Sequence, residues 1–250
     1  ARPRPGHPGR PALVAAQRRA PGGIDLGGVG LALAHEAAGY PLVDNPAAYG
    51  AITGHTGLVL LTVTTTHEPA TDLGFLLHKH PDRVQQFRQA FGTATVCYPQ
   101  ASAERCTAAL VIEVDPVRLA RTVGRGSPDF SLSQYVNDRP YAASSLLAVA
   151  LGDVFSTARA GRCAARPELA DTAIPLEIDI PVVPCPGGPA FAERIFGPLG
   201  WRVDARPIPL DPDLAQWGDS RYVRLSLCGT LRLADALNQL HVLLPTLDES

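Results

Sequence analysis

Few residues in this chain have the type and spacing to do chemistry. His67 ends an apolar and β-branched run, Leu60 to Thr66, and is followed by Glu68 and Pro69. His78 and His80 flank Lys79, the single lysine of the sequence. Ligands at i and i+2 do not share a helix face, so this pair reads as a solvated helix end, where positive charge suits the negative end of the dipole. Ser127, in GRGSPDF, lacks the G-x-S-x-G spacing of a nucleophile elbow. The five cysteines, Cys97, Cys106, Cys163, Cys185 and Cys228, are scattered, form no C-x-x-C pair and have no neighbouring histidine. That pattern reads as reduced, mostly buried thiols in a cytoplasmic protein rather than a zinc site or a thiolate nucleophile. H-E-x-x-H and the phosphate-cradling G-x-x-x-x-G-K are both missing. No catalytic, cofactor-binding or metal-ligating residue is therefore assigned, although a small hydrolase using His67 or His80 stands as an alternative.

The densest polar clusters are Asn137-Asp138-Arg139-Pro140-Tyr141 and Asp219-Ser220-Arg221-Tyr222. Each can pair Asp with Arg to fix a loop, or can present Arg and Tyr, types that dominate binding hot spots, to a partner. Arg139, Tyr141, Arg221 and Tyr222 are the candidate partner-binding residues.

The elements that must position these groups begin with a strand at Leu60–Thr66. A helix follows with Leu73, Leu76 and Leu77 on one face, ending near His80 because Pro81 follows. Gly92–Pro99 and Thr107–Val114 read as a hairpin, and Asp115-Pro116 opens a helix through Leu119 and Val123, with Asp as N-cap. Gly124–Pro128 reads as a loop. Ala142–Arg162 has the pattern of a long central helix, with a short turn at Arg166–Asp171. The order then recurs: strand Leu176–Val183, placed at an edge by Pro181; helix Ala190–Phe196; strand Trp201–Leu210, interrupted by Pro207 and Pro209; strand Tyr222–Cys228. A final helix is capped by Thr230 and carries Leu233, Leu237 and Leu240 on one face. The expected fold is α+β, two β-α-β-β-α units arising by internal duplication and bridged by the central helix.

Residues 1–58 read differently. Closely spaced Pro, Gly and Arg in the first 23 residues break helices and strands, so a disordered N-terminal extension is expected there, with the folded domain spanning 59–250. Val59 could mark an alternative start of translation. Asp25-Leu26-Gly27-Gly28-Val29-Gly30 resembles the glycine-rich loop of S-adenosylmethionine-dependent methyltransferases, but no strand precedes it and too little chain follows it to complete a cofactor domain. Five of the 22 basic and three of the 24 acidic residues fall in 1–58, leaving 17 against 21 and a net charge of −4 in the remainder. A body that grips phosphates by itself would usually show a basic excess or stripe, and this one shows neither. No apolar run reaches the 18 or so residues of a membrane helix, and no membrane partner is expected.

Four stretches in order, LLTVTTTHEPATDLGFLLHKHPDRVQ, YPQASAERCTAALVIEVDPVRLAR, QYVNDRPYAASSLLAVALGDVF and WGDSRY with GTLRLADALNQLHVLLPTLD, resemble the N-terminal domain of the bacterial Hen family from about Val59 to Ser250. These are 3′-terminal RNA ribose 2′-O-methyltransferases of an RNA-repair operon. The resemblance implies a docking and regulatory module that binds the bacterial polynucleotide kinase–phosphatase–ligase and switches on ligase adenylylation. The alternative is a fragment whose activity is the methyl transfer of the full-length enzyme. The family's catalytic C-terminal domain, which holds S-adenosylmethionine and a divalent metal, is absent from these 250 residues, so no cofactor is expected on this chain.

Overall fold

The computed structural model describes residues 58–115, 117–118 and 141–248. Its centre is a seven-stranded sheet in the order β2-β3-β4-β1-β5-β7-β6, every neighbouring pair antiparallel. The strands are β1 (Leu58–Thr65), β2 (Gln85–Gln89), β3 (Gly92–Ala101), β4 (Cys106–Val114), β5 (Ile174–Pro184), β6 (Arg202–Pro209) and β7 (Asp219–Leu231). Six helices accompany them among the described residues: α1 (Leu73–Leu77), α2 (Tyr141–Val154), α3 (Ser156–Arg159), α4 (Pro167–Ala170), α5 (Gly188–Phe196) and α6 (Leu233–Asp248). The class is α+β, as the sequence predicts.

Outward from the β1–β5 pair, one side runs β1, β4, β3, β2 and the other β5, β7, β6. On both sides the strand that opens the unit lies at the centre, the last strand beside it and the middle strand outside; β2 extends only the first. β2 was not expected. Its sequence, QQFRQ, holds no β-branched residue, and it forms because Gln85–Gln89 pairs in full with Val96–Gly92.

The helices cover one face. Leu61 and Val63 of β1, Leu110 and Ile112 of β4, Ile178 of β5 and Leu225 of β7 pack with Leu147 and Leu151 of α2 and Leu237 and Leu240 of α6 in one buried cluster. Alternation along each strand puts these residues on the helical side, and each fully buried leucine contributes about 2 kcal/mol of transfer free energy. The Trp201 indole donates to Gln239 Oε1 (2.6 Å), fastening the start of β6 to α6.

Several expected boundaries shift. α1 stops at Leu77, short of His80, because His78 takes a left-handed conformation (φ 55°) and the His78 and Lys79 amides return to Phe75 and Gly74 carbonyls. Gly74 suits this turn: a Cβ there would lie 2.9 Å from the Pro81 ring. The long helix is divided at Phe155 (φ −109°, ψ 25°), although the Phe155 and Arg159 amides still reach Leu151 and Phe155 carbonyls. Gly161 (φ 68°) then ends it, near the predicted place.

Pro181 is a clear correction. β5 lies inside the sheet, between β1 and β7, not at an edge. The proline is tolerated because β1 pairs only with Leu176–Asp179 and the β5–β7 register slips between Ile180 and Val183, so no ladder bond is asked of it. The edge on this side of the sheet is β6, with Pro207 and Pro209. Thr230 does not cap α6: it remains in β7 opposite Pro175, and the first helical bond runs from the Ala236 amide to the Arg232 carbonyl. Asp115 does cap, its Oδ1 accepting from the Val117 (2.9 Å) and Arg118 (3.2 Å) amides. The remainder of that helix, the Gly124–Pro128 loop, Ser127, Arg139 and all of 1–57 lie outside the described residues.

Candidate partner-binding surface

The sheet's second face divides into two halves. On β1, β3 and β4 the outward residues Leu60, Cys97, Ala109 and Val111 form a small buried apolar cluster of their own. On β5, β7 and β6 the equivalent positions are ionic. Asp179 accepts from the Ser226 hydroxyl (2.6 Å) and from the Arg224 guanidinium (3.3 and 3.4 Å). One strand out, Arg206 forks onto Asp204, with contacts of 2.7 to 3.1 Å. At the other end of β5, Arg105 reaches Glu177 across β1. A recess is lined by Asp204, Arg206, Arg224 and Ser226.

Most of these charges answer another, whereas Arg202, exposed on the same face of β6, has no ion pair with a described residue. The hydrogen bond from Arg206, with the charges of Arg206 and Arg224, holds the Asp204 carboxyl below its usual range, and Asp204 raises the Arg206 guanidinium in return. The arrangement supplies paired, directional polar groups on a rigid sheet.

Beyond this face, β6 turns into β7 through a compact tip. The Leu210 amide donates to the Gly218 carbonyl (3.0 Å), the Trp217 amide to the Leu214 carbonyl (2.9 Å), and the Asp213 amide to Asp211 Oδ1 (2.8 Å). Gly218 sits at φ 77°, where a side chain is strained. The Ser220 hydroxyl closes the base of the loop on the Ile208 carbonyl (2.7 Å).

The predicted partner-binding residues fall unevenly. Arg139 lies outside the described residues, and Tyr141 begins α2 with its side chain outside them. Arg221 and Tyr222 start β7 at the foot of the hairpin tip: Arg221 is exposed, while its carbonyl accepts from the Cys185 amide (2.8 Å), and Tyr222 is half-buried. Sequence reasoning did not single out Trp217, Leu210 or the Asp179–Arg224–Ser226 network. A signal existed for the network, since LEIDIPVV and YVRLSLC carry their polar residues at every second position and pair in register.

The histidines have local roles. The His67 amide donates to Thr65 Oγ1 (3.2 Å); His78 donates through Nε2 to the Arg162 carbonyl (2.6 Å); His80 Nδ1 accepts from the Asp82 amide (3.2 Å). Among the described residues no hydrogen bond joins a histidine ring to a serine or cysteine, and no three His, Cys, Asp or Glu side chains group to hold a metal. These residues do not fit a divalent metal, and the Asp25–Gly30 loop lies outside them. All five cysteines are free thiols, and burial pushes Cys97, Cys106 and Cys185 upward, Cys106 to about 11. Lys79 lies over the Phe87 (5.0 Å) and Phe155 (5.8 Å) rings, its ammonium pKa lowered by burial against the opposing charge of Asp153. No described helix is long and apolar enough to cross a membrane.

A solved structure described as "Structure of the Pnkp1/Rnl/Hen1 RNA repair complex" contains a chain similar to this one at 15% identity and a TM-score of 0.46, covering 75% of this chain and 42% of that one. The present chain thus spans less than half of that relative's length. No curated protein matches it. The model of one family, described as the "RNA repair, ligase-Pnkp-associating, region of Hen1", matches residues 59–250, which include every described element from Val59 onward. By that match across most of its length, the chain belongs to the family of ligase-Pnkp-associating regions of Hen1.

Proposed function

We propose that residues 59–250 form a docking module that binds a kinase–phosphatase–ligase of the Pnkp type and raises the rate at which its ligase takes up AMP. The observation that carries this is the family match over the whole folded body. The surface is consistent with it: the ionic half of the sheet face presents paired charges, Asp204 with Arg206 and Asp179 with Arg224, beside the unpaired Arg202, and such a polar face suits a protein partner. Arg221 and Tyr222, with Arg139 and Tyr141, are proposed to contribute contacts.

In the longer protein the module would be joined to a methyltransferase domain that binds S-adenosylmethionine and a divalent metal and methylates the terminal ribose of repaired RNA. That domain's residues do not belong to this chain, and RNA would be met through the assembled complex.

The test is covalent AMP transfer to the cognate ligase with ATP, with and without the full chain. Stimulation, lost when Arg221 and Tyr222 are replaced by Ala in a folded variant, is expected. Binding without stimulation would reduce the module to a tether. Neither binding nor stimulation would remove the docking reading.

A further inference from the structure

We propose that the tip of the β6–β7 hairpin is the anchor of the docking interface: Trp217 and Leu210 insert into an apolar recess on the ligase-Pnkp partner that is bordered by Lys and Arg side chains. This rests on the docking reading above and assigns its centre.

Trp217 and Leu210 are each 60% exposed, whereas the other described leucines are buried or half-buried apart from Leu199 at 40%. Trp201, the other tryptophan, is 4% exposed. The other exposed apolar side chains among the described residues are Phe75, Val84, Val117, Val149, Leu199 and Val242. Phe75 is roofed by the Arg166 guanidinium (5.1 Å), and Val149 and Val242 follow Ala148 and His241, which are hydrogen-bonded across the α2–α6 contact. At the hairpin an aromatic and an aliphatic residue stand within one loop, on backbone already tied by the four hydrogen bonds described above. A preformed loop loses little conformational entropy on binding, and a rigid exposed tryptophan is the residue type most enriched at interface hot spots.

The rim names the partner's chemistry. Asp211, Asp213 and Asp219 are exposed or half-exposed along the tip, and none forms an ion pair with a described residue. Elsewhere in this half of the sheet carboxylates are matched, Asp204 of β6 by Arg206 and Asp179 of β5 by Arg224. Carboxylates left unmatched around an apolar anchor are complementary to a basic rim around an apolar recess. Their long-range attraction speeds encounter and their rim position makes the effect sensitive to salt.

The experiment measures binding of the full chain to the cognate ligase-Pnkp protein by titration calorimetry and stopped flow, at low and at physiological salt. Trp217→Ala is expected to weaken binding on the order of 30-fold and Leu210→Ser about tenfold, mainly through faster dissociation. Asp211→Asn/Asp213→Asn/Asp219→Asn keeps the Oδ1 acceptor at 211; it is expected to slow association roughly tenfold at low salt and to flatten the salt dependence. Circular dichroism checks that each variant is folded, and the serine change at Leu210 stands if the tryptophan variant is not. Wild-type binding with both apolar variants within twofold of it would overturn the anchor while leaving docking intact. Loss confined to the apolar variants, with association indifferent to the three aspartates and to salt, would overturn the basic rim. Wild type that does not bind would overturn both readings. Loss of self-association in the variants, with partner binding unchanged, would make the occupant a second copy of this chain and overturn the proposal.

Discussion

The two halves of the sheet share a strand order but use their second face in opposite ways. On β1, β3 and β4 that face carries Leu60, Cys97, Ala109 and Val111, all buried. On β5, β6 and β7 it carries Glu177, Asp179, Asp204, Arg206, Arg224 and Ser226, exposed or half-exposed. The helical face is apolar in both halves, so the difference lies wholly in the outward positions. A strand buried on both sides needs a continuous apolar run, as in TAALVIEV, whereas a strand wet on one side needs alternation, as in LEIDIPVV. One half of the sheet is built into the molecule. The other is presented to solvent, and its hairpin reaches beyond the sheet.

The sharpest way to break this contrast is to place a charge on the buried half. Ala109→Asp, at a position with no exposure, is expected to cost at least about 3 kcal/mol, because an unpaired carboxylate would lose its hydration there. An equilibrium urea titration reads it. A cost below 1 kcal/mol would show that water reaches this face.

Next in size is a response to alkali from Cys106, which starts β4 and lies on the helical face of the sheet. Cys106 is held as the neutral thiol, its pKa raised by burial to about 11 from an ordinary value of 9.0. In the unfolded chain it ionises first, so the folded state retains the extra proton. Its stabilising effect is complete below pH 9 and is lost as pH rises toward 11. Stability is expected to fall by about 2 kcal/mol over that window, and less in Cys106→Ala once the variant's own baseline is subtracted. An identical slope in the variant would assign the response elsewhere.

The smallest effects belong to the ionic half. Asp179→Ala leaves Arg224 and Ser226 without their acceptor and is expected to cost about 1 kcal/mol, discounted for partial exposure. Arg206→Ala, which breaks a pair open to solvent, is expected to change stability by less than about 0.5 kcal/mol. If Arg206→Ala were the costlier of the two, the ionic half would be structural rather than presented.

Much of this was legible in the sequence. The α+β class, the β3–β4 hairpin, the apolar faces of α2 and α6 and the Asp115 cap follow from periodicity and local chemistry. The boundary errors have physical causes of one kind: Thr230 and Pro181 were judged by local preference, and sheet pairing overrode it. β2 was invisible for the same reason, since QQFRQ has no strand signal except the partner beside it. At the candidate surface, Arg221 and Tyr222 could be named from their type, but Trp217 could not be told from a core tryptophan like Trp201.

The sequence alone therefore determined which residues are apolar, where the chain turns, and, through four long motifs, the family. Those properties are local, or are order along the chain. The tertiary structure decided which strands lie inside the sheet, which face is wet, and which of two tryptophans is outside. Exposure is a property of neighbours that arrive from distant parts of the chain. Trp201 is held by Gln239, 38 residues away, while the Trp217 amide bonds within its own loop, to the Leu214 carbonyl.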